Sequence, residues 1–134
     1  MKGISVYIIS PSSREKLLKA FPPQYKTFVG HHVTYKFGAS DKDSLAPEGQ
    51  YHVIGISDIA DNDSDGLEAL IVSIKLPHKS RGHTTRADGN TFHITWSHGP
   101  SYSAKDSKEL TSLGFKKVNP IEINMEPTFI PFQK

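Results

Sequence analysis

Two short segments carry the side chains best suited to chemistry: His32-Val33-Thr34-Tyr35 and His93-Ile94-Thr95-Trp96, each reading histidine, apolar, threonine, aromatic. An imidazole with an ordinary pKa of about 6.5 takes up or gives up a proton at neutral pH. Two of them can therefore divide the work of base and acid, one neutral while its partner is protonated. A threonine hydroxyl two residues further along can donate a hydrogen bond to an oxygen on which negative charge is building. That spacing suits a β-strand, where side chains alternate between faces: His32 shares one face with Thr34, and His93 with Thr95. Tyr35 and Trp96 then fall on the opposite face and are expected in the core.

Chance would place about 0.4 His-x-Thr triplets in a chain of this composition, and about 0.05 once apolar or aromatic neighbours are required, so two such segments carry information. A third triplet, His83-Thr84-Thr85-Arg86, fails the neighbour requirement and lies in loop-like sequence, so it reads as a chance match, although its histidine could still line a pocket. The chain has no cysteine, which removes thiolate ligands, disulfides and a cysteine nucleophile. The chemical rival is a zinc site on His32 and His93, which would need a third ligand from His31, His98 or an aspartate. His52 and His78 read as surface or structural residues. The run Asp61-Asn62-Asp63-Ser64-Asp65-Gly66 matches the first half of an EF-hand loop. Its twelfth position is Val72 where a bidentate glutamate is needed, so a polar hairpin turn is the better reading.

The doubled segment resembles the 2H phosphoesterase superfamily, whose members carry two His-apolar-Thr/Ser-apolar motifs on central strands of two pseudo-symmetric lobes. The likeness is one of motifs and covers the layout of most of the chain, which is shorter than many members. It implies His32, Thr34, His93 and Thr95 as the catalytic four, and no other position matches a family motif closely enough to transfer. Members include cyclic phosphodiesterases acting on RNA 2′,3′-cyclic phosphate ends, tRNA-processing enzymes once called 2′-5′ RNA ligases, and viral enzymes that cleave cyclic or 2′-5′-linked oligonucleotide signals. The implied function is a metal-independent hydrolase, without a cofactor, acting on a cyclic or 2′-5′-type phosphodiester in a nucleotide or RNA end.

The residue types suit that reaction on their own terms. Hydrolysis of a phosphodiester needs a base for the attacking hydroxyl or water, an acid for the leaving oxygen, and donors for the non-bridging oxygens. Which histidine is the base depends on substrate orientation, which the sequence leaves open. Tyr7 is a candidate for stacking a nucleobase, and Lys36, Arg81 and Arg86 for holding phosphate or a second nucleotide. Two other readings use the same residues: a viral-type nuclease that degrades cyclic oligonucleotide immune signals, and a non-catalytic nucleotide- or RNA-binding module.

The elements that must position these groups follow from pattern and punctuation. Residues 3–10 alternate Ile4, Val6 and Ile8 against Ser5, Tyr7 and Ile9, a strand with one apolar and one mixed face. Ser12 with Glu15 forms a capping box for a helix that Pro22-Pro23 ends. The first histidine strand is expected over about residues 30–37, paired strands over 51–59 and 67–76, and the second histidine strand over 91–97. Between the last two lies a long loop, residues 77–90, with Lys79, Arg81 and Arg86. Long loops are uncommon in compact domains unless they do something. Ser103 with Asp106 opens a second helix that runs to Gly114, and Pro120, Pro127 and Pro131 confine any later strands to edges. The expected class is therefore α+β: two pseudo-symmetric lobes of antiparallel sheet with flanking helices around a central cleft, in a single domain over residues 1–134.

At 134 residues the chain can bury an adequate core without staples. The net charge of +2 is too small for a polynucleotide wrap, but it is unevenly spread. Residues 41–68 hold eight acids against Lys42, and residues 69–117 hold eight Lys or Arg against Asp88, Asp106 and Glu109. A modest anionic ligand near the second histidine segment fits that asymmetry. No run approaches the length of a membrane span, and the N-terminal apolar run is short for a secretory signal, so a cytoplasmic setting without membrane or obligate protein partner is expected.

Overall fold

Alternating apolar residues separated by tight polar turns make this chain predominantly a succession of strands. The computed structural model describes residues 2–40, 45–86 and 89–132. Asp41 and Asp43 of the acidic run, together with Lys42 and Asp88, lie outside them. The elements are β1 (Lys2–Ile9), α1 (Pro11–Ala20), β2 (Thr27–Phe28), β3 (His32–Ser40), β4 (Gln50–Asn62), β5 (Asp65–Lys75), β6 (His93–His98), α2 (Ser107–Ser112), β7 (Lys116–Ile123) and β8 (Met125–Pro131). The class is α+β, as the sequence suggests: one antiparallel sheet ordered β7-β4-β5-β6-β3-β1-β8, with β2 beside β6, and two short helices.

The β4–β5 hairpin turns at Asp63-Ser64, where the Asn62 Oδ1 accepts from the Ser64 amide at 2.9 Å and from its hydroxyl at 3.0 Å. The flanking carboxylates are engaged by the loop after β6. Asp61 accepts from the Tyr102 hydroxyl at 3.0 Å and Asp65 from the Ser101 amide at 3.1 Å. The acidic run is thus a polar hairpin turn tied to the loop after β6.

Helix α1 begins two residues earlier than its capping box suggested. Ser10 is the N-cap, its Oγ accepting from the Ser13 amide, and Pro11 occupies the first turn. Proline there loses no hydrogen bond and has its φ preset, so it starts the helix directly after β1. Ser13 is then free to accept from the Asn124 amide at 2.7 Å.

The proline-bearing C-terminal segment does form the two outer strands, β7 beside β4 and β8 beside β1. A single residue, Asn124, joins these opposite edges, so the sheet curls back toward itself. The corner is fixed to the start of α1, since the Ser10 amide donates to the Asn124 carbonyl at 3.0 Å.

The two histidine strands, β3 and β6, are neighbours in the middle of the sheet, registered through Val33 and Ile94. The chain entering β3 is also bound to β6: the Val29 and Gly30 amides donate to the Trp96 and Thr95 carbonyls, each at 2.9 Å. Gly30 has φ +50, and a Cβ there would sit 2.2 Å from the Phe28 ring, so both its conformation and its surroundings require glycine. Val33, Ile94 and Trp96 enter the core with Tyr7, Ile9 and Leu17, while His32, Thr34, His93 and Thr95 stand on the other face. Among the described residues no helix is long and apolar enough to cross a membrane.

Candidate functional site

A pocket of about 600 Å³ opens over the β3–β6 seam. That volume is within the range of small-ligand sites, roughly 300–1,000 Å³. His32, Thr34, His93 and Thr95 all line it, with Arg86, Lys105 and Lys108 supplying positive charge. Ile4, Val29, Phe37 and Ala104 form its apolar wall.

Each polar group is set by a different element. His93 Nδ1 lies 2.8 Å from the Thr91 carbonyl oxygen. A carbonyl only accepts, so Nδ1 carries the proton and Nε2 is the unprotonated nitrogen of the neutral ring. His32 Nδ1 lies 3.0 Å from His31 Nδ1, an arrangement in which one of the two rings must donate. Thr95 Oγ1 is 2.8 Å from Ser107 Oγ, which is buried at the start of α2 and so clasps that helix onto β6. The Thr34 hydroxyl, by contrast, has no hydrogen-bond partner among the described residues, although its backbone carbonyl accepts from Arg86 Nη1 at 3.4 Å. Arg86 reaches the site from the long loop, whose Arg86 amide and carbonyl bond to Asn90 and Gly89. Lys105 and Lys108 are brought by the turn into α2, where the Asp106 carboxylate accepts from the Ser103 amide at 2.8 Å.

Burial lowers the pKa of both histidines. For His32 the fall is to about 4, with burial first among the causes and the proximity of His31 and then His93 adding to it. For His93 burial again leads, partly opposed by the Thr91 carbonyl, which favours the protonated ring, and reinforced by Arg86. Both rings are therefore neutral in the ligand-free protein at pH 7. Because His32 ionises near 6.5 when unfolded, the unfolded chain takes up the proton first on acidification. His32 is only partly covered by protein, so the expected loss is on the order of 1–2 kcal/mol between pH 6.5 and 4, after discounting for solvent. Thermal melts should show a lower Tm at pH 4.5 than at pH 7, and a smaller drop for His32→Asn. An equal drop in the variant would remove His32 from this account.

Three of the proposed binding residues fall elsewhere. Tyr7 is fully buried, its hydroxyl donating to the Pro47 carbonyl at 2.7 Å and its ring packed against Tyr35 and Tyr51, and burial raises its pKa. The mixed face of β1 turns to the core and the apolar face toward the pocket, because Tyr7 pairs with Val33 whereas Ile8 pairs with His32. Tyr7 therefore stacks no base. Lys36 is displaced by a bulge: Val6 pairs with Thr34 but Ser5 with Lys36, leaving Tyr35 as the extra residue. Phe37, opposite Ile4, takes the pocket position that strict alternation gave to Lys36. Arg81 is exposed on the loop and is absent from the pocket wall, so only Arg86 of these four is brought in.

Lys105, Lys108 and Phe37 were missed. The two lysines are three apart, a spacing that puts them on one helical face, but nothing local says that this face leans over β6. His83 bridges to Ile74 and packs its ring near Phe92, outside the pocket. His98 follows a bulge at Trp96 that returns it to the strand face of Thr95, but it is absent from the pocket wall, its Nδ1 lying 2.9 Å from the Gly99 carbonyl. Among the described residues no group of three or more His, Cys, Asp or Glu side chains gathers as a metal-ligand set. Comparison with family models, with curated proteins and with solved structures finds no match to this chain.

Proposed function

We propose that the chain is a metal-independent 2H-type phosphoesterase that hydrolyses a cyclic or 2′-5′-type phosphodiester in a nucleotide or RNA end. The observation that supports it is the lining of one pocket by both His-x-Thr pairs together with Arg86, Lys105 and Lys108. A phosphate fits this pattern because proton donors and acceptors, neutral hydroxyls and cations all face one space. We read the β8-β1-β3 strands with α1, and the β6-β5-β4-β7 strands with α2, as the two pseudo-symmetric lobes of such an enzyme, with the pocket as their cleft.

In this reading the bound phosphodiester anion raises the proton affinity of the histidine pair, since opposite charge favours the imidazolium. The incoming proton is held on His93, whose Nδ1–H is stabilised by the Thr91 carbonyl, whereas His32 faces another imidazole. His32 is then the base and His93 the acid. His32 takes a proton from water as the water oxygen bonds to phosphorus, the P–O bond to the leaving sugar oxygen breaks, and His93 gives that oxygen its proton. Arg86 and the Thr34 hydroxyl stabilise the charge gathering on the non-bridging oxygens.

The test is to incubate the protein in EDTA with 2′,3′-cyclic nucleotides, 2′-5′ oligonucleotides and cyclic dinucleotides and to identify the products. Turnover of at least one with a single new phosphomonoester is expected, with a bell-shaped pH profile. Turnover of none, or loss of activity with chelator, overturns the reading. Tight binding without turnover identifies a nucleotide-binding module instead. The two threonines should differ. The Thr34 hydroxyl is available to a substrate while that of Thr95 is held by Ser107, so Thr34→Val is expected to lower kcat by about 10–100-fold. Thr95→Val should act more through stability, by loosening α2. Steady-state kinetics and melts of the two variants separate these effects.

A further inference from the structure

A second pocket, of about 320 Å³, lies beside the first. It is lined by Thr91, Lys108, Thr111, Ser112 and Phe115, among others, and Lys108 belongs to both walls. Thr91 is the residue whose carbonyl holds His93. The second pocket thus begins where the acid–base pair ends, with a lysine standing between them.

From this we infer that the site takes an oligonucleotide of at least two residues rather than a mononucleotide: the scissile phosphate sits at the histidine pair, a neighbouring phosphate on Lys108, and the adjoining nucleoside in the second pocket. This rests on the phosphoesterase reading and extends it to substrate length.

Charge supports it first. A phosphodiester carries one negative charge, whereas Lys105 and Lys108 alone place two cations on the wall of one pocket. Among the described residues neither Lys105 nor Lys108 has a carboxylate within salt-bridge distance. A ligand with a second phosphate relieves that repulsion, and one with a single phosphate does so only in part.

The second pocket's chemistry points the same way. Phe115, 36 % exposed, presents an aromatic face of the kind on which bases stack. The ring is held because it packs over Gly55, where a Cβ would come within 2.2 Å of it. Thr111 and Ser112 give their hydroxyl protons to the backbone carbonyls of Lys108 and Glu109. Their oxygens therefore present acceptors to a nucleoside, suited to an exocyclic amino group or a ribose hydroxyl. Nothing there is apolar enough for a lipid, and the cations disfavour a basic peptide.

The experiment compares 2′,3′-cyclic AMP with a dinucleotide and a trinucleotide ending in the same cyclic phosphate, in EDTA, for the wild-type protein and Lys108→Met. The quantity read is the ratio of kcat/KM for dinucleotide over mononucleotide. It is expected to be tenfold or more in the wild type and to approach one in Lys108→Met. The wild-type ratio should fall with added salt by close to one phosphate's worth of counterion release. Phe115→Ala is expected to lower the ratio without removing its salt dependence. A wild-type ratio near one, or a ratio that Lys108→Met leaves unchanged, overturns the inference while leaving the phosphoesterase reading intact. If neither ligand is turned over, that reading fails, and the same ratio is taken from dissociation constants. A tighter dinucleotide, dependent on Lys108, then upholds the second subsite, and equal affinities refute it.

Discussion

Replacing His93 by alanine is expected to lower kcat on a 2′,3′-cyclic nucleotide by about 10²–10⁴-fold, the usual cost of losing a positioned acid or base. His32→Ala should cost a similar factor, but the two losses should respond differently to the leaving group. A sugar hydroxyl is a poor leaving group and needs its proton from the acid. A nitrophenolate leaves without one. On a nucleoside nitrophenyl phosphate, His93→Ala should recover most of the lost rate, whereas His32→Ala, lacking the base, should not. The reverse pattern would exchange the two roles while keeping the pair. Full activity of a folded His93→Ala protein on every substrate would end the proposal. The pH profile provides a second reading, because the alkaline limb belongs to the protonated member and should vanish with His93.

The second large effect is on folding. Trp96 is fully buried on the core face of β6, its Nε1 donating to the Phe21 carbonyl at 2.8 Å and its ring edge-on to Phe28 at 4.9 Å. Trp96→Ala therefore leaves a large cavity and an unpaired carbonyl, and is expected to cost about 3–5 kcal/mol. Trp96→Phe fills much of that space and loses chiefly the hydrogen bond, about 1–2 kcal/mol. Urea unfolding followed by far-UV circular dichroism measures both, since the chain's one tryptophan is the residue removed. A loss under 1 kcal/mol for the alanine variant would mean that β6 is not anchored from its core side. The pocket face would feel the change too, because Trp96 adjoins Thr95 and its carbonyl receives the Val29 amide.

The histidine strands were legible because alternation holds from His32 to Thr34 and from His93 to Thr95, so each His-x-Thr pair faces together, although the aromatic that follows sits at a bulge in both strands. The hairpin at Asp61–Gly66 and the edge positions of the proline-bearing strands were legible for the same kind of reason, being local consequences of Asn, Gly and Pro chemistry. What failed was anything that depended on a partner strand. Tyr7 looked available because its own strand has a more apolar face, yet pairing with Val33 turns it inward. Lys36 lost its place to Phe37 through one extra residue at Tyr35, a bulge set by the register with β1. Lys105 and Lys108 could not be assigned because the contact that brings them in, Ser107 to Thr95, joins residues whose proximity is tertiary. Arg86 was found only as one of several loop cations, with nothing local to separate it from Arg81.

The corner at Asn124 bears on how the molecule is made as well as how it is held. β8 pairs with β1 over residues separated by nearly the whole chain, from Gly3 opposite Pro131 to Ile9 opposite Met125. Pairings so distant must pay the loop-closure entropy before they return any energy, so they form late. During synthesis β1 and β3 can pair early, but β1 keeps an unpaired edge until β8 emerges, and is until then supported on its β3 side only. Folding is therefore expected to be slow for a chain of this size, and the interval before β8 docks is when the protein is most exposed to edge-to-edge aggregation.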